Sequence, residues 1–128
     1  MKTYATVALA TLAGFGLGAL AVQELHAQAK PPAYVISEID VSNQDAYGKE
    51  YVPLAQKALR ESGQKVLASG GKTLSISGEP PKSRIVLSVF ESLDKAQAAY
   101  TSQAYREARK IGDQYAKLRI FVVEGVSQ

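Results

Sequence analysis

Two acidic and two basic side chains on predicted strands are the groups in this chain best suited to chemistry. Glu38 and Asp40 stand two apart on one strand, and Arg84 and Arg119 lie on later strands. A positioned carboxylate can act as a general base, and an arginine or a tyrosine such as Tyr34 can stabilise the anion that forms. Glu38 and Asp40 are therefore the catalytic candidates for an enzyme that acts on an activated organic substrate.

The same side chains can also bind a ligand without reacting with it. The arginines would oppose the raised carboxylate pKa that a general base needs, so simple binding is the favoured interpretation. A third interpretation is structural, with the charges forming only cross-strand ion pairs, each worth under ~1 kcal/mol when exposed. The candidate binding residues are Tyr34, Glu38, Arg84, Ser88 and Arg119.

Composition excludes several kinds of chemistry. Cysteine and tryptophan are absent, and the only histidine, His26, and the only methionine, Met1, lie within the first 29 residues. A mature domain without those residues has no histidine triad, thiolate nucleophile, disulfide, zinc site with nitrogen or sulfur ligands, or haem ligand. We therefore expect no metal and no cofactor. The formal charge of +3 is small and dispersed, so no nucleic-acid partner is expected.

The N-terminal segment is typical of a cleavable export signal. Lys2 precedes an uncharged run from residue 3 to residue 22, and Ala27 and Ala29 provide small residues at the positions that a signal peptidase reads. We predict cleavage after Ala29, with Ala27 as the second choice, and a periplasmic or secreted protein. The alternative is an uncleaved membrane anchor, because the run approaches the ~20 residues that a spanning helix needs.

The elements that position the candidate residues alternate between strand and helix patterns. After a linker at 30–32, the order β-α-β-β-α-β predicts one ferredoxin-like α+β domain over 33–126. Ser42 and Ser92 are predicted helix caps, and Pro53 is expected to break or kink the first helix. The predicted strands are 33–41, 65–69, 72–77, 84–90 and 117–123, and the predicted helices are 43–62, 93–100 and 103–114.

Alternation along the strands predicts two different sheet faces, because successive residues point to opposite sides. The face expected to be covered by helices, apolar except for Ser37, holds Val35, Ile39, Val41, Ile85, Leu87, Val89, Leu118, Ile120 and Val122. The other face mixes apolar residues with charges and is expected to place Arg84 near Tyr34, and Arg119 near Glu38 or Asp40. A half-apolar face predicts that a second copy covers it and leaves a lined cavity at the dimer seam.

An ordered set of residues resembles the domain-of-unknown-function family 1330. The set consists of Tyr34, Asp40, Tyr47, Tyr51, Ser69-Gly70-Gly71, Gly78, Arg84, Phe90-Glu91-Ser92-Leu93, Ala96, Ser102, Tyr105 and Val123-Glu124-Gly125. The resemblance implies a dimeric α/β-barrel fold, whose other branches include monooxygenases that use neither metal nor flavin. Ala68 departs from the family pattern, in which arginine is common before the glycines, and this weakens the case for an anion at that turn.

The favoured prediction is therefore an exported homodimer that binds a small molecule. A cofactor-independent enzyme of monooxygenase-like or isomerase-like type and a structural dimer module without ligand are the alternatives. The sequence predicts membrane contact only through the N-terminal segment, if that segment is retained.

Overall fold

The computed structural model describes residues 30–127, and within them four strands form one antiparallel sheet. The strands are β1 (Ala33–Val41), β2 (Lys65–Ser69), β3 (Arg84–Phe90) and β4 (Ala116–Glu124). Their order across the sheet is β2-β3-β1-β4, so β1 lies between β3 and β4, as predicted. The predicted signal segment and its cleavage site after Ala29 lie outside the described residues.

The first helical segment has three consecutive parts: α1 (Gln44–Ala46), a π-helical stretch (Tyr47–Tyr51) and α2 (Val52–Glu61). Its cap is Asn43, whose Oδ1 accepts a hydrogen bond from the Ala46 N–H at 3.1 Å, and not the predicted Ser42. The expected break at Pro53 is also wrong. Pro53 stands in the first turn of α2, where a missing N–H is tolerated, and the π-helical stretch just before it keeps the segment continuous.

Two further helices, α3 (Leu93–Thr101) and α4 (Gln103–Gly112), complete the helical layer. The Ser92 hydroxyl accepts from the Lys95 N–H at 3.2 Å, which confirms the predicted cap of α3. Ser102 caps α4 in the same way by accepting from the Tyr105 N–H at 3.3 Å. Ser102 has an extended backbone between α3 and α4, so the chain begins a separate helix there, and both helices place buried residues in the core.

The register of β3 corrects the predicted sheet faces. Ile39 pairs with Arg84 and Val35 pairs with Ser88, and directly paired residues of antiparallel strands share a face. Phe90 is 2% exposed and packs edge-on against Tyr100, which holds this phase. The helix-facing side of β3 therefore carries Arg84, Val86, Ser88 and Phe90, and the open side carries Ile85, Leu87 and Val89.

The predicted strand at 72–77 is absent from the described structure. The chain leaves the sheet at Gly70, whose φ of 66° directs it away from β3, and it returns only at Arg84. The segment between them is exposed, with Leu74 at 82% and Ile76 at 86%. Alternating leucine and isoleucine give strand character to the sequence, but a strand also needs a hydrogen-bonded neighbour, and residues 72–77 have none in the described chain.

The core lies between the helices and one side of the sheet. Tyr51 from the π-helical stretch reaches α4, where a side chain at Gly112 would place its Cβ 2.6 Å from the tyrosine ring. The buried hydrophobic residues are Ala33, Val35, Ile39, Tyr47, Tyr51, Ala55, Ala58, Leu59, Phe90, Ala96, Ala99, Tyr105, Ala108 and Ala116. Many are alanines, so the aromatic rings provide most of the bulk that fills the space.

Candidate functional site

The helix-side cavity, of about 80 Å³, lies between the helices and the helix-facing side of the sheet. Four tyrosines line it, together with side chains of all four strands and of the first helical segment. The polar groups of the lining are Ser37, Tyr47, Tyr51, Gln56, Gln64, Ser69, Arg84, Tyr100 and Tyr105. Most of the remaining lining is aliphatic, which is the usual composition of a small-molecule site.

Arg84 is the cationic residue of this lining. It is the first residue of β3, and its register opposite Ile39 turns it toward the helices. Its Nη2 donates a hydrogen bond to Ser69 Oγ at 3.2 Å, and its guanidinium lies against Gly70, where an added Cβ would be 2.5 Å from Nη1. The Nε atom is buried and has no hydrogen-bond partner within the described residues. The structure thus holds a guanidinium in place without using all its donors.

Tyr47, Tyr51 and Tyr105 form the aromatic wall opposite the sheet. The rings of Tyr47 and Tyr51 lie 5.2 Å apart, and the hydroxyls of Tyr51 and Tyr105 are 3.3 Å apart. Burial raises the pKa of Tyr47, and the charge of nearby Arg84 opposes that rise. Burial, reinforced by Tyr105, also raises the pKa of Tyr51. The phenols of Tyr47 and Tyr51 are therefore neutral hydrogen-bonding groups near pH 7.

A second polar group links β3 to the helices. Gln64 Nε2 donates to Ser88 Oγ at 3.2 Å and to the Tyr100 hydroxyl at 3.5 Å. Burial and the neighbouring Tyr105 raise the pKa of Tyr100 to about 12, although hydrogen bonds from Ser88 and Gln64 act against the rise. Tyr100 also packs edge-on against Tyr105, with ring centroids 4.8 Å apart.

A larger cavity of about 450 Å³ shares Tyr100, Tyr105 and Ile120 with the first one. Its other lining residues come from α3, α4 and β4 and include the guanidinium-bearing Arg109. Arg109 is already paired, with Nη2 3.0 Å from the Asp113 carboxylate.

The open face of the sheet holds the other predicted site residues. Arg119 Nη1 lies 2.6 Å from Glu38 Oε2, so the predicted proximity of Arg119 to Glu38 is confirmed. The Arg119 guanidinium also lies 5.0 Å from the centroid of the Phe121 ring. Asp40 is exposed and pairs across the strands with Lys117.

The predicted binding set is therefore divided between two faces. Arg84 does not lie near Tyr34, because Tyr34 pairs with Val89 at the far end of β3 and points to the open side. Arg84 and Ser88 face the helices, whereas Tyr34, Glu38 and Arg119 face away from them. The cavity at a dimer seam stays a prediction, and the cavity that contains Arg84 lies within a single copy of the chain.

Of the predicted site residues, Arg84 alone lines the cavity, and the rest of the lining was not predicted from the sequence. Tyr47, Tyr51 and Tyr105 are among these residues, because helical spacing does not distinguish a core tyrosine from a cavity tyrosine. Gln64 carried no signal, because it follows the positive-φ turn at Gly63 and only the folded chain directs it to Ser88.

A family model described as "Domain of unknown function (DUF1330)" matches residues 32–126 of the chain. The chain belongs to this family. The match spans all four strands and the three helical segments of the DUF1330 domain, including the Arg84 and tyrosine positions of the cavity. The family description names no activity, so the site must be interpreted from its own geometry. A search of curated proteins finds no match.

Several solved structures share the fold of this chain. A protein of unknown function from Rhodopseudomonas palustris is 18% identical, covers 82% of this chain and 94% of its own, and gives a TM-score of 0.53. SnoaB, a cofactor-independent oxygenase from Streptomyces nogalater, is 8% identical with coverages of 77% and 96% and a TM-score of 0.55. A proposed antibiotic biosynthesis monooxygenase from Caulobacter crescentus is 17% identical, with coverages of 77% and 92% and a TM-score of 0.56. The predicted α+β ferredoxin-like fold is confirmed.

The last two features to consider in the described part of the chain are metal-binding clusters and membrane-spanning helices. Residues 30–127 contain no cluster of three or more acidic, histidine or cysteine side chains able to hold a metal ion. Over the same residues, no helix is both long enough and apolar enough to cross a bilayer.

Proposed function

We propose that this DUF1330 protein binds a small organic molecule in the helix-side cavity. The observation that carries the proposal is the lining, in which four tyrosine side chains and several aliphatic residues surround the polar groups of Arg84, Gln64 and Ser37. Ligand sites typically combine an apolar wall with a few positioned polar groups. The aromatic rings favour a flat ligand, because ring faces and edges make their best contacts with another π-system.

Binding without reaction fits the lining better than catalysis does. Among the described residues, no Asp, Glu or His lines the cavity, and the raised pKa of Tyr47 keeps its phenol protonated near neutral pH, so that it does not serve as a base. The catalytic candidates Glu38 and Asp40 stand on the opposite face. The alternative is a cofactor-independent enzyme, and it is suggested by the shared fold with SnoaB. In that case the substrate would have to lose its proton without a carboxylate at the site.

The proposal includes a homodimer formed through the open face of the sheet. The corrected register places Ile85, Leu87 and Val89 on that face, where Phe121 and Val123 are 41% and 51% exposed. The face is more apolar than the sequence predicted, because Arg84 and Ser88 have left it. A second copy would remove this surface from water.

Export to the periplasm or outside the cell is also proposed, with cleavage after Ala29. It is supported by the uncharged run and the small residues of the sequence. Mass spectrometry of the native protein tests it, and an intact Met1 on membrane-bound protein would contradict it.

Ligand binding is tested by filling the cavity from the sheet. Val86 lines it from the helix-facing side of β3, so Val86→Phe should occupy the space that a ligand needs. Val126, which is 86% exposed, gives the matched control Val126→Phe. We expect benzoate or benzamide to bind the wild type and Val126→Phe in ligand-observed NMR, and binding to Val86→Phe to fall by about tenfold or more, as expected when a pocket loses its free volume.

Native mass spectrometry of residues 30–128, purified without harsh washing, extends the test to the natural ligand. A small extra mass carried by the wild type and by Val126→Phe, but not by folded Val86→Phe, supports the proposal. Equal binding of the aromatic probes by all three proteins, or no binding by any, would overturn it.

A further inference from the structure

Arg84 carries a charge that the described chain does not neutralise. Ion pairs join Lys49 to Asp45, Arg109 to Asp113 and Arg119 to Glu38, but none joins Arg84 to a carboxylate within residues 30–127. Its side chain is mostly covered and lines the cavity. A partly buried cation without a counter-ion in its own chain favours an anion supplied from outside the chain.

The neighbours of Arg84 position the guanidinium without occupying it. Gly70 provides the room, because its φ of 66° suits glycine and any Cβ there would meet Nη1 at 2.5 Å. Ser69 Oγ accepts from Nη2 at 3.2 Å, and Nε has no partner within the described chain. An arginine presents five N–H donors in a planar fork that matches the two oxygens of a carboxylate. The Tyr47 hydroxyl is also a hydrogen-bond partner of the guanidinium, so the donor capacity at this point of the cavity is used only in part.

The rest of the lining limits what the anion can be attached to. Tyr47, Tyr51 and Tyr105 supply ring surface and hydroxyls, and among the described residues no second cationic side chain lines the helix-side cavity. A single guanidinium matches a singly charged head, and the aromatic wall matches a flat apolar body. A phosphate dianion would call for more cationic or backbone donors than the lining provides.

We propose that the ligand of the helix-side cavity is a small aromatic or otherwise planar carboxylic acid, whose carboxylate is bound by Arg84. This inference rests on the proposed function and adds the chemical class of the ligand. It also replaces the two-arginine site predicted from the sequence, because Arg119 lies on the opposite face and is paired with Glu38. Ala68 is not an obstacle to anion binding at the glycine turn, since Arg84 brings a guanidinium to that turn from the neighbouring strand.

Benzoate and its neutral analogue benzamide separate the charge from the shape of the ligand. Wild-type protein should bind benzoate at least about tenfold more tightly than benzamide, since a charge-assisted pair is roughly twice as strong as a neutral one. Arg84→Met removes the charge but keeps an apolar stem, and it should lower benzoate affinity by about tenfold while leaving benzamide affinity within about twofold. Arg119→Met makes the same change on the open face and should leave both affinities unchanged.

Arg84→Lys keeps the charge but loses the planar fork, so its benzoate affinity should lie between those of the wild type and Arg84→Met. This variant keeps the test valid if Arg84→Met does not fold. Equal affinity of the wild type for benzoate and benzamide, with both lost in Val86→Phe, would overturn the anion and leave the proposed function standing. An equal loss of benzoate binding in Arg84→Met and Arg119→Met would also overturn the inference. If neither probe bound the wild-type cavity, both proposals would fall.

Discussion

At the scale of single residues, the cavity depends on polar side chains that are buried but satisfied by one another. Tyr51 and Tyr105 share a hydroxyl contact, and Gln64 bridges Ser88 and Tyr100. Burying such polar groups costs free energy unless they are hydrogen-bonded. The hydrogen bonds among these side chains therefore favour one position for each of them. Burial also raises the pKa of Tyr51 and of Tyr100. The shift at Tyr100 has a measurable consequence at high pH.

The alkaline titration should distinguish buried from ordinary tyrosines. The folded protein holds the pKa of Tyr100 at about 12, above the value of about 10 in an unfolded chain. A raised pKa means that the folded state holds the proton more tightly, so this contribution is fully present below pH ~10 and is lost as pH rises toward ~12. We expect the free energy of unfolding, measured in urea, to fall over that window.

Tyr100→Phe should make the fall between pH ~10 and ~12 shallower, because it removes one of the groups that titrate late. Absorbance of the phenolate near 295 nm should show one fewer late-titrating tyrosine in the same variant. A wild-type stability that did not change across this window would contradict the burial of these hydroxyls.

At the scale of elements, the sequence contained enough to predict most boundaries but not the phase of β3. The caps at Ser92 and Ser102 are local hydrogen bonds, so the sequence alone predicts where α3 and α4 begin. In the segment Arg84–Phe90 both alternating sets contain apolar residues, so periodicity leaves two choices. Packing of Phe90 against Tyr100 determines the choice, and that contact exists only in the folded chain. Because the predicted phase of β3 was wrong, Arg84 and Ser88 were predicted on the wrong face.

The contact between α4 and the π-helical stretch can be tested at one glycine. Gly112→Ala would place a Cβ 2.6 Å from Tyr51 Cδ2, and Tyr51 is 5% exposed with its hydroxyl beside that of Tyr105. Overpacking of this kind costs about 1–3 kcal/mol, which exceeds the gain of up to about 1 kcal/mol from better helix propensity. We expect Gly112→Ala to lower the free energy of unfolding by about 1 kcal/mol in urea denaturation.

Gly48→Ala is the matched control, because no atom lies within 4 Å of a Cβ at that position in the described structure. It should be neutral or slightly stabilising. If Gly112→Ala were as stable as Gly48→Ala, the packing of Tyr51 against α4 would not limit the fold.

At the scale of the whole molecule, residues 31–127 leave two apolar surfaces uncovered. One is the open face of the sheet with Phe121 and Val123, and the other is the exposed segment that carries Leu74 and Ile76. In a two-fold symmetric dimer, the exposed segment of one copy would pack on the open sheet face of the other, and the same contact would occur twice. These surfaces are the physical basis for expecting a second copy.

Phe121→Asp should therefore weaken the dimer. It places a charge on a face that a second copy would desolvate, and two symmetry-related copies of that charge would repel each other. Leu93→Asp is the control, since Leu93 has the same exposure, 42% against 41%, but stands on α3 outside the open face. Analytical ultracentrifugation should show a dimer for the wild type and for Leu93→Asp, and a monomer for Phe121→Asp with an unchanged circular dichroism spectrum. A monomeric wild type would remove the homodimer from the proposal but leave the helix-side cavity intact, because every residue of its lining belongs to one copy.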